Sequence, residues 1–160
     1  MADSRLKYGV RFGMPLFTTV GEFNSSVVLS PKSGRYVTYD ESGDHWILTP
    51  DNGADIGGYV QHSLTTSSTD KGTKLPIATN IGDFITEMPY ANDGSASTLT
   101  AALLLDLIGG DEDLGCDIYV STLQYADAAT SQKVIRVHGG SVKNNTLYVS
   151  VIDTAIDRQA

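Results

Sequence analysis

Short runs of apolar or alternating residues, each stopped by a turn sequence, recur along this chain of 160 residues. Alternation over four to eight residues is typical of β-strands, whereas an amphipathic helix shows a period of 3.6 over a longer run. The runs that favour strands are residues 8–12, 26–29, 35–39, 45–49, 56–61, 74–79, 83–88, 116–124, 133–138 and 146–152. The pattern therefore predicts a mainly β chain.

Turn residues separate these runs. Segments 31–34, 40–44 and 50–53 contain Gly, Asn or Asp, which adopt the positive φ that tight turns need. Because the second of these turns joins runs 35–39 and 45–49, we predict a β-hairpin there. Many short strands with turns between them indicate a compact β-barrel or β-sandwich.

One segment departs from the strand pattern. Three leucines recur at four-residue spacing, at Leu99, Leu103 and Leu107. Ser97 can cap the first turn, and the glycine pair at 109–110 can end the helix. We therefore expect one short helix near residues 97–108.

The N-terminus differs in charge from the rest of the chain. Residues 1–13 contain three cations and one acid, a net charge of +2, whereas the whole chain carries −8. The remaining residues therefore carry −10. We predict a basic N-terminal arm at residues 1–13 and a single β-rich domain at residues 14–160.

The middle of the chain is strongly acidic. Nine Asp or Glu residues and no Lys or Arg lie between Lys74 and Lys133. Such a stretch is either a solvated face that aids solubility or a surface on which the basic arm of a neighbouring subunit docks. The sequence leaves both interpretations open.

Composition argues against several classes of partner. Affinity for nucleic acid comes from Lys and Arg that release counterions, so a net charge of −8 and a pI near 4.6 predict no nucleic-acid partner.

No window approaches the roughly 18 apolar residues of a membrane span, and no apolar signal core follows residues 1–7. We expect neither membrane insertion nor secretion by a signal peptide. Cys116 is the only cysteine, which is consistent with synthesis in a reducing cytosol.

Residues that carry chemistry are scattered. His45, His62 and His138 lack the i, i+4 or H-x-H spacing of a local metal clamp. Cys116 has no neighbouring histidine that could generate a thiolate. We therefore predict no enzymatic activity and no cofactor.

A weak calcium site is one alternative that stays open. Asp111, Asp113 and Asp117 resemble part of a calcium-binding loop. They lack the Gly at the sixth position and the Glu at the twelfth position of an EF-hand. The other interpretation is a solvated acidic turn.

Several local sequences share the layout of one class of proteins. An early hairpin and a glycine turn are followed by a strand-rich C-terminal half, at residues 34–39, 46–48, 54–60, 117–120, 134–140 and 147–151. With this layout, residues 23–152 loosely resemble the capsid decoration, or cement, proteins of tailed bacteriophages.

The resemblance implies a structural role in a virion. It implies a compact β-rich body, made in the host cytoplasm, that oligomerises as a trimer on the capsid exterior and ties neighbouring major capsid proteins together without catalysis. We expect one contact in the N-terminal arm, because a short basic and apolar terminus can order against an acidic neighbour or add a strand to its sheet. The partner-binding residues predicted there are Arg5, Leu6, Lys7, Tyr8, Arg11 and Phe12.

Three other classes of function remain as alternatives. A β-sandwich or jelly-roll module could recognise a carbohydrate through exposed Trp46, Tyr36 or Tyr59. Another virion part, such as a tail or head-completion protein, has the same composition. An enzyme whose site is completed at a subunit interface is the third, although no local motif supports it.

Overall fold

The structure is a computed structural model that describes residues 9–23, 34–41, 43, 45–49, 53–61, 73–92, 95–96, 98–109, 114–119, 123–129 and 132–156. Strands account for 55% of this part of the chain, which also contains one short helix, so the mainly β prediction is confirmed. Curled sheets form a half-barrel and a nearly closed barrel.

Twelve strands and one helix are described. The strands are β1 (Gly9–Phe12), β2 (Thr19–Phe23), β3 (Arg35–Asp40), β4 (His45–Leu48), β5 (Gly58–Val60), β6 (Thr73–Ile77), β7 (Ile85–Asn92), β8 (Ser95–Ala96), β9 (Gly115–Tyr119), β10 (Leu123–Asp127), β11 (Ile135–Ser141) and β12 (Thr146–Val151). The helix is α1 (Ala101–Gly109), and a 3-10 helix covers Asp153–Ala155.

The larger sheet is built around β7. Its main path runs β11-β12-β7-β10-β9, and β1 and β8 also pair with β7. Along the first half of β7, β12 lies on one side and β1 on the other, because both strands pair with Thr86 and Glu87. Leu114, just before β9, bonds to Ile135 of β11, so the two ends of the path meet.

The smaller sheet has the order β5-β3-β4-β2-β6. Its two end strands meet where the Tyr59 amide donates to the Ala78 carbonyl at 3.0 Å and the Ala78 amide donates back at 2.9 Å. Alternate residues of these strands point inward because the side-chain period of a strand is two. They form one buried cluster, composed of Phe23, Val37, Trp46, Leu48, Val60 and Ile77.

A second buried cluster joins the two sheets. Tyr36 and Tyr59 of the smaller sheet belong to the same core as Met88 and Leu147 of the larger one and as Phe84, which directly precedes β7. The ring centroids of Tyr36 and Tyr59 are 5.1 Å apart, and those of Tyr59 and Phe84 are 5.4 Å apart, as in favourable tilted aromatic pairs. The two sheets therefore share one hydrophobic core.

Polar contacts fix the junction of the sheets. The Gln124 amide, from β10, accepts from the Tyr36 amide at 2.8 Å and donates to the Tyr36 carbonyl at 2.7 Å. The Tyr36 hydroxyl is bonded to the Thr86 hydroxyl at 2.6 Å. All of these groups are buried, where each bond also prevents the cost of an unsatisfied polar group.

Glu87 is a buried acid in the larger sheet. Its carboxylate accepts hydrogen bonds from the Arg11 guanidinium, on β1, and from the Thr146 hydroxyl, on β12. Residues 9–12 are therefore paired with their own chain, and the arm predicted at residues 1–13 shares its last part with the sheet. Arg11 is therefore the cation that pairs with the Glu87 carboxylate. The sequence does not reveal this pairing, because 76 positions separate the two residues.

The predicted hairpin of runs 35–39 and 45–49 is confirmed by antiparallel β3 and β4. The single strand predicted at 116–124 is wrong, because β9 and β10 pair antiparallel there. Residues 120–122 contain no Gly, Pro, Asn or Asp, so the sequence carries no strong turn signal between the two strands. Strand β2 was not predicted, and run 26–29 lies outside the described residues.

The predicted helix is present but begins later. The Leu103 amide donates to the Thr100 hydroxyl at 3.2 Å, so Thr100 caps α1. Ser97, the predicted cap, lies outside the described residues. Leu99 precedes the helix and is buried in the shared core.

Candidate interaction surfaces

A series of large apolar side chains is exposed from the end of β1 to the start of β2. Their exposed fractions run from 37% for Phe17 to 71% for Met14. We call this surface the apolar strip, composed of Phe12, Met14, Leu16, Phe17 and Val20. Exposed apolar side chains are ordinary when single, but contiguous patches mark interaction sites.

Backbone contacts hold the apolar strip in place. Gly13 has a φ of +84°, and a Cβ there would come within 2.6 Å of the Asp83 carbonyl oxygen, so glycine is required. The Asn80 side chain accepts from the Leu16 amide at 2.8 Å and donates to the Met14 carbonyl at 2.9 Å. The strip is therefore ordered before any partner binds, which lowers the entropic cost of binding.

Helix α1 exposes a second apolar surface. Leu104 and Leu107 pack against the shared core. Leu105 points away from this pair, whereas Leu103 and Ile108 flank it on its two sides. We call these three residues, which are 40–71% exposed, the helix face. Because exposed Asp106 lies between Leu103 and Leu105 around the helix, the helix face is a less continuous candidate surface than the apolar strip.

A polar cleft of about 370 Å³ lies between the segment before β7 and the strands β11 and β12. In it, His138 Nε2 is 2.7 Å from the Ser150 hydroxyl. Burial, followed by the Arg136 guanidinium, lowers the pKa of His138, so the ring is neutral near pH 7. A serine nucleophile also needs a base oriented by a third group and donors for an oxyanion, so this contact alone does not make a catalytic site.

The predicted arm residues divide into three groups. Arg5, Leu6, Lys7 and Tyr8 lie outside the described residues. Arg11 is bonded to Glu87. Phe12 is exposed at the start of the apolar strip, so it is the one member of the predicted set that the described residues place on a candidate contact surface.

The aromatic residues considered for carbohydrate binding are buried. Trp46 is 8% exposed, and Tyr36 and Tyr59 are each 1% exposed. Trp46 fills the interior of the smaller sheet, and the two tyrosines pack between the sheets. These three side chains therefore offer no platform for a sugar ring.

Two of the residues considered for calcium, Asp111 and Asp113, lie outside the described residues, and so does the side chain of Asp117. Within the described part of the chain, no group of three or more His, Cys, Asp or Glu residues could hold a metal ion.

The apolar strip and the helix face were both missed by sequence reasoning. The available signal is the absence of any charged residue from positions 12–21, where Met, Leu and two Phe residues accumulate without strand alternation. Apolar residues of this kind are ordinarily assigned to a core.

Among the described residues, none of the helices has the length and apolar character needed to cross a membrane. Comparison of the chain with protein-family models, with curated proteins and with solved structures gives no match.

Proposed function

We propose that this chain is a virion structural protein that decorates the capsid of a tailed bacteriophage. In this role it binds the outside of the shell and links neighbouring major capsid proteins as a homo-oligomer, a trimer, without catalysis. The observation that carries the proposal is the ordered apolar strip, which is held by Gly13 and Asn80 and left uncovered by the described residues of its own chain. A preformed apolar surface of this kind is what an assembly protein needs.

The mechanism is mass-action linkage. Contacts that span capsomer boundaries exist only in the assembled shell, so each bound copy shifts the equilibrium toward the intact shell. A homo-oligomer binds through several such contacts at once, which raises its overall affinity well above that of one contact. No residue needs to perform chemistry for this function.

The basic arm before β1 is the proposed shell contact. Because Arg11 is bonded to the buried Glu87, the proposed contact residues are Arg5, Leu6, Lys7 and Tyr8, together with the exposed Phe12. A truncation that removes residues 1–13 would also delete β1 and leave Glu87 without its cation. The informative truncation therefore removes residues 1–8 alone.

Truncation of residues 1–8 is expected to weaken binding to shells assembled without this chain by at least about tenfold, since several charged and apolar contacts are lost together. The thermal unfolding midpoint should stay unchanged, because β1 is retained. Co-sedimentation of purified chain with shells measures the binding. Unchanged association of the truncated chain would contradict the arm contact.

A charge reversal supplies a matched control. Lys7→Glu should weaken association, whereas Lys143→Glu, which makes the same change at an exposed position in the turn between β11 and β12, should not. Equal losses for the two variants would mean that net charge, not the arm, governs association.

A further inference from the structure

The apolar strip adjoins the polar cleft. The Asn80 side chain, which lines the cleft, is bonded to the Leu16 amide and the Met14 carbonyl of the strip. Asp83 lines the same wall of the cleft and lies against Gly13, where a Cβ would come within 2.6 Å of the Asp83 carbonyl oxygen. A segment bound on the strip therefore has the cleft directly beside it.

The charges that line the polar cleft favour a cation on the side of the strip. Asp83 is exposed, and no described residue forms a hydrogen bond or an ion pair with its carboxylate. On the opposite wall, Arg136 and Asp153 contribute one charge of each sign. Because burial lowers the pKa of His138, its ring is neutral near pH 7, and the three charged residues sum to −1. The unbalanced charge is therefore next to the strip, at Asp83.

The chemistry of the cleft indicates which kind of cation fits. Among the residues that the structure describes, no three His, Cys, Asp or Glu side chains are grouped so that they could hold a metal ion. A single carboxylate can instead pair with the ammonium of Lys or the guanidinium of Arg. The cation that suits Asp83 is therefore a basic side chain of a protein partner.

The area of the apolar strip suits a short segment of that partner. Taking about 200 Å² for a fully exposed large side chain, the five side chains of the strip expose roughly 550 Å². A stable interface between two folded proteins takes roughly 800 Å² from each partner. The strip is therefore too small to hold a second folded subunit by itself, but it can cover several apolar side chains of one segment.

The net charge of the chain acts in the same direction. At −8, the chain repels another acidic protein, a second copy of itself included, and attracts a basic one. Complementary charge speeds association and fixes the register of a bound segment, whereas apolar contact supplies most of the affinity. The apolar strip and Asp83 together offer both contributions at one place.

We infer that the apolar strip and the polar cleft form one docking site for a basic and apolar segment of a different protein. Apolar side chains of the segment pack on the strip, and a neighbouring Lys or Arg enters the cleft, where Asp83 is its counter-ion. This inference deepens the proposed function and rests on it in taking the shell protein as that partner.

Paired substitutions test the site against shells assembled without this chain. Asp83→Asn should weaken binding about threefold, the effect of one exposed ion pair, and Met14→Ser about tenfold, through lost apolar contact. Asp55→Asn and Val142→Ser make the same kinds of change at exposed positions outside the site and should leave binding unchanged. Co-sedimentation across a range of chain concentrations gives the four affinities.

Selection from a displayed library of random short peptides tests the chemistry of the segment. The unmodified chain is the bait, and the double variant Asp83→Asn with Met14→Ser removes peptides that bind elsewhere. The selected peptides should combine apolar residues with Lys or Arg. Enrichment of acidic or uncharged peptides, or no enrichment that depends on these two residues, would overturn the inference.

Salt dependence tests the ion pair with the selected peptides. Their binding should weaken as salt rises, because salt screens the attraction between exposed charges, and it should weaken less in Asp83→Asn. An equal salt dependence in both proteins would remove Asp83 from the site. Self-association of the chain that both single substitutions disrupt would assign the strip to a second copy and overturn the inference.

Two combinations of results separate this inference from the proposed function. Shell binding that is lost on truncation of residues 1–8 but survives Asp83→Asn and Met14→Ser would overturn the docking site and leave the proposed function standing. Selective binding of basic and apolar peptides by a chain that does not bind shells would support the docking site and contradict the proposed function.

Discussion

Replacement of Gln124 by leucine is expected to lower the free energy of unfolding by about 3 kcal/mol. The Gln124 amide makes both bonds to the Tyr36 backbone, at 2.8 and 2.7 Å, and is 1% exposed. In the variant the Tyr36 carbonyl keeps the Thr49 amide at 3.1 Å, but the Tyr36 amide is left buried without this acceptor. Chemical denaturation of the two proteins measures the difference.

Gln124→Glu is the matched control, because it keeps the shape and the acceptor and loses the donor. Burial raises the pKa of such a carboxyl in the folded state above its unfolded value. The variant should therefore be destabilised near neutral pH and should recover relative to the parent chain as pH falls, when the protonated carboxyl donates to the Tyr36 carbonyl. Two results would contradict the role of this amide. They are a loss of stability in Gln124→Glu that does not depend on pH, and a loss below about 1 kcal/mol in the leucine variant.

Arg11→Met is expected to cost about 2 kcal/mol of stability. The Glu87 side chain is 1% exposed and the Arg11 side chain is 33% exposed. In the variant, the buried Glu87 carboxylate keeps the hydrogen bond from the Thr146 hydroxyl but loses the Arg11 guanidinium. Removal of one partner of a buried pair costs 3–5 kcal/mol, and the partial exposure of Arg11 reduces that figure. Thermal and denaturant unfolding give the measurement.

The double variant Arg11→Met with Glu87→Gln isolates the charge. If the cost is that of an unpaired carboxylate, neutralising Glu87 should restore at least half of the lost stability. A double variant less stable than Arg11→Met alone would show that Arg11 acts through packing of its aliphatic stem.

Strand periodicity was enough to predict the fold class and the positions of most strands, because alternation is a local property. It succeeded for the hairpin of β3 and β4 and failed for β2, where Gly21 and Glu22 interrupt the apolar pattern. Gly21 is needed there because a Cβ would meet the side chains of Ile77 and Trp46 at 2.1 and 2.7 Å. That crowding arises from strands distant in sequence, so the sequence does not reveal it.

The candidate surfaces depend on contacts that are even less local. Asn80 accepts a hydrogen bond from the Leu16 amide across 64 positions of sequence. This contact helps to hold an apolar segment at the surface, although its composition would assign it to the core. The four-residue spacing of Leu99, Leu103 and Leu107 predicted a helix but not which of its residues are buried. Leu103 is 40% exposed, because the helix starts after Leu99 and packs through Leu104 and Leu107.

The copy number of this chain in purified virions tests the central claim most directly. Quantitative peptide mass spectrometry of particles from the source, with copies counted against the most abundant shell protein, gives that number. The account predicts copies comparable to those of the shell protein. A handful of copies per particle would indicate a tail or portal-vicinity part instead, and complete absence from the particles would contradict a virion role.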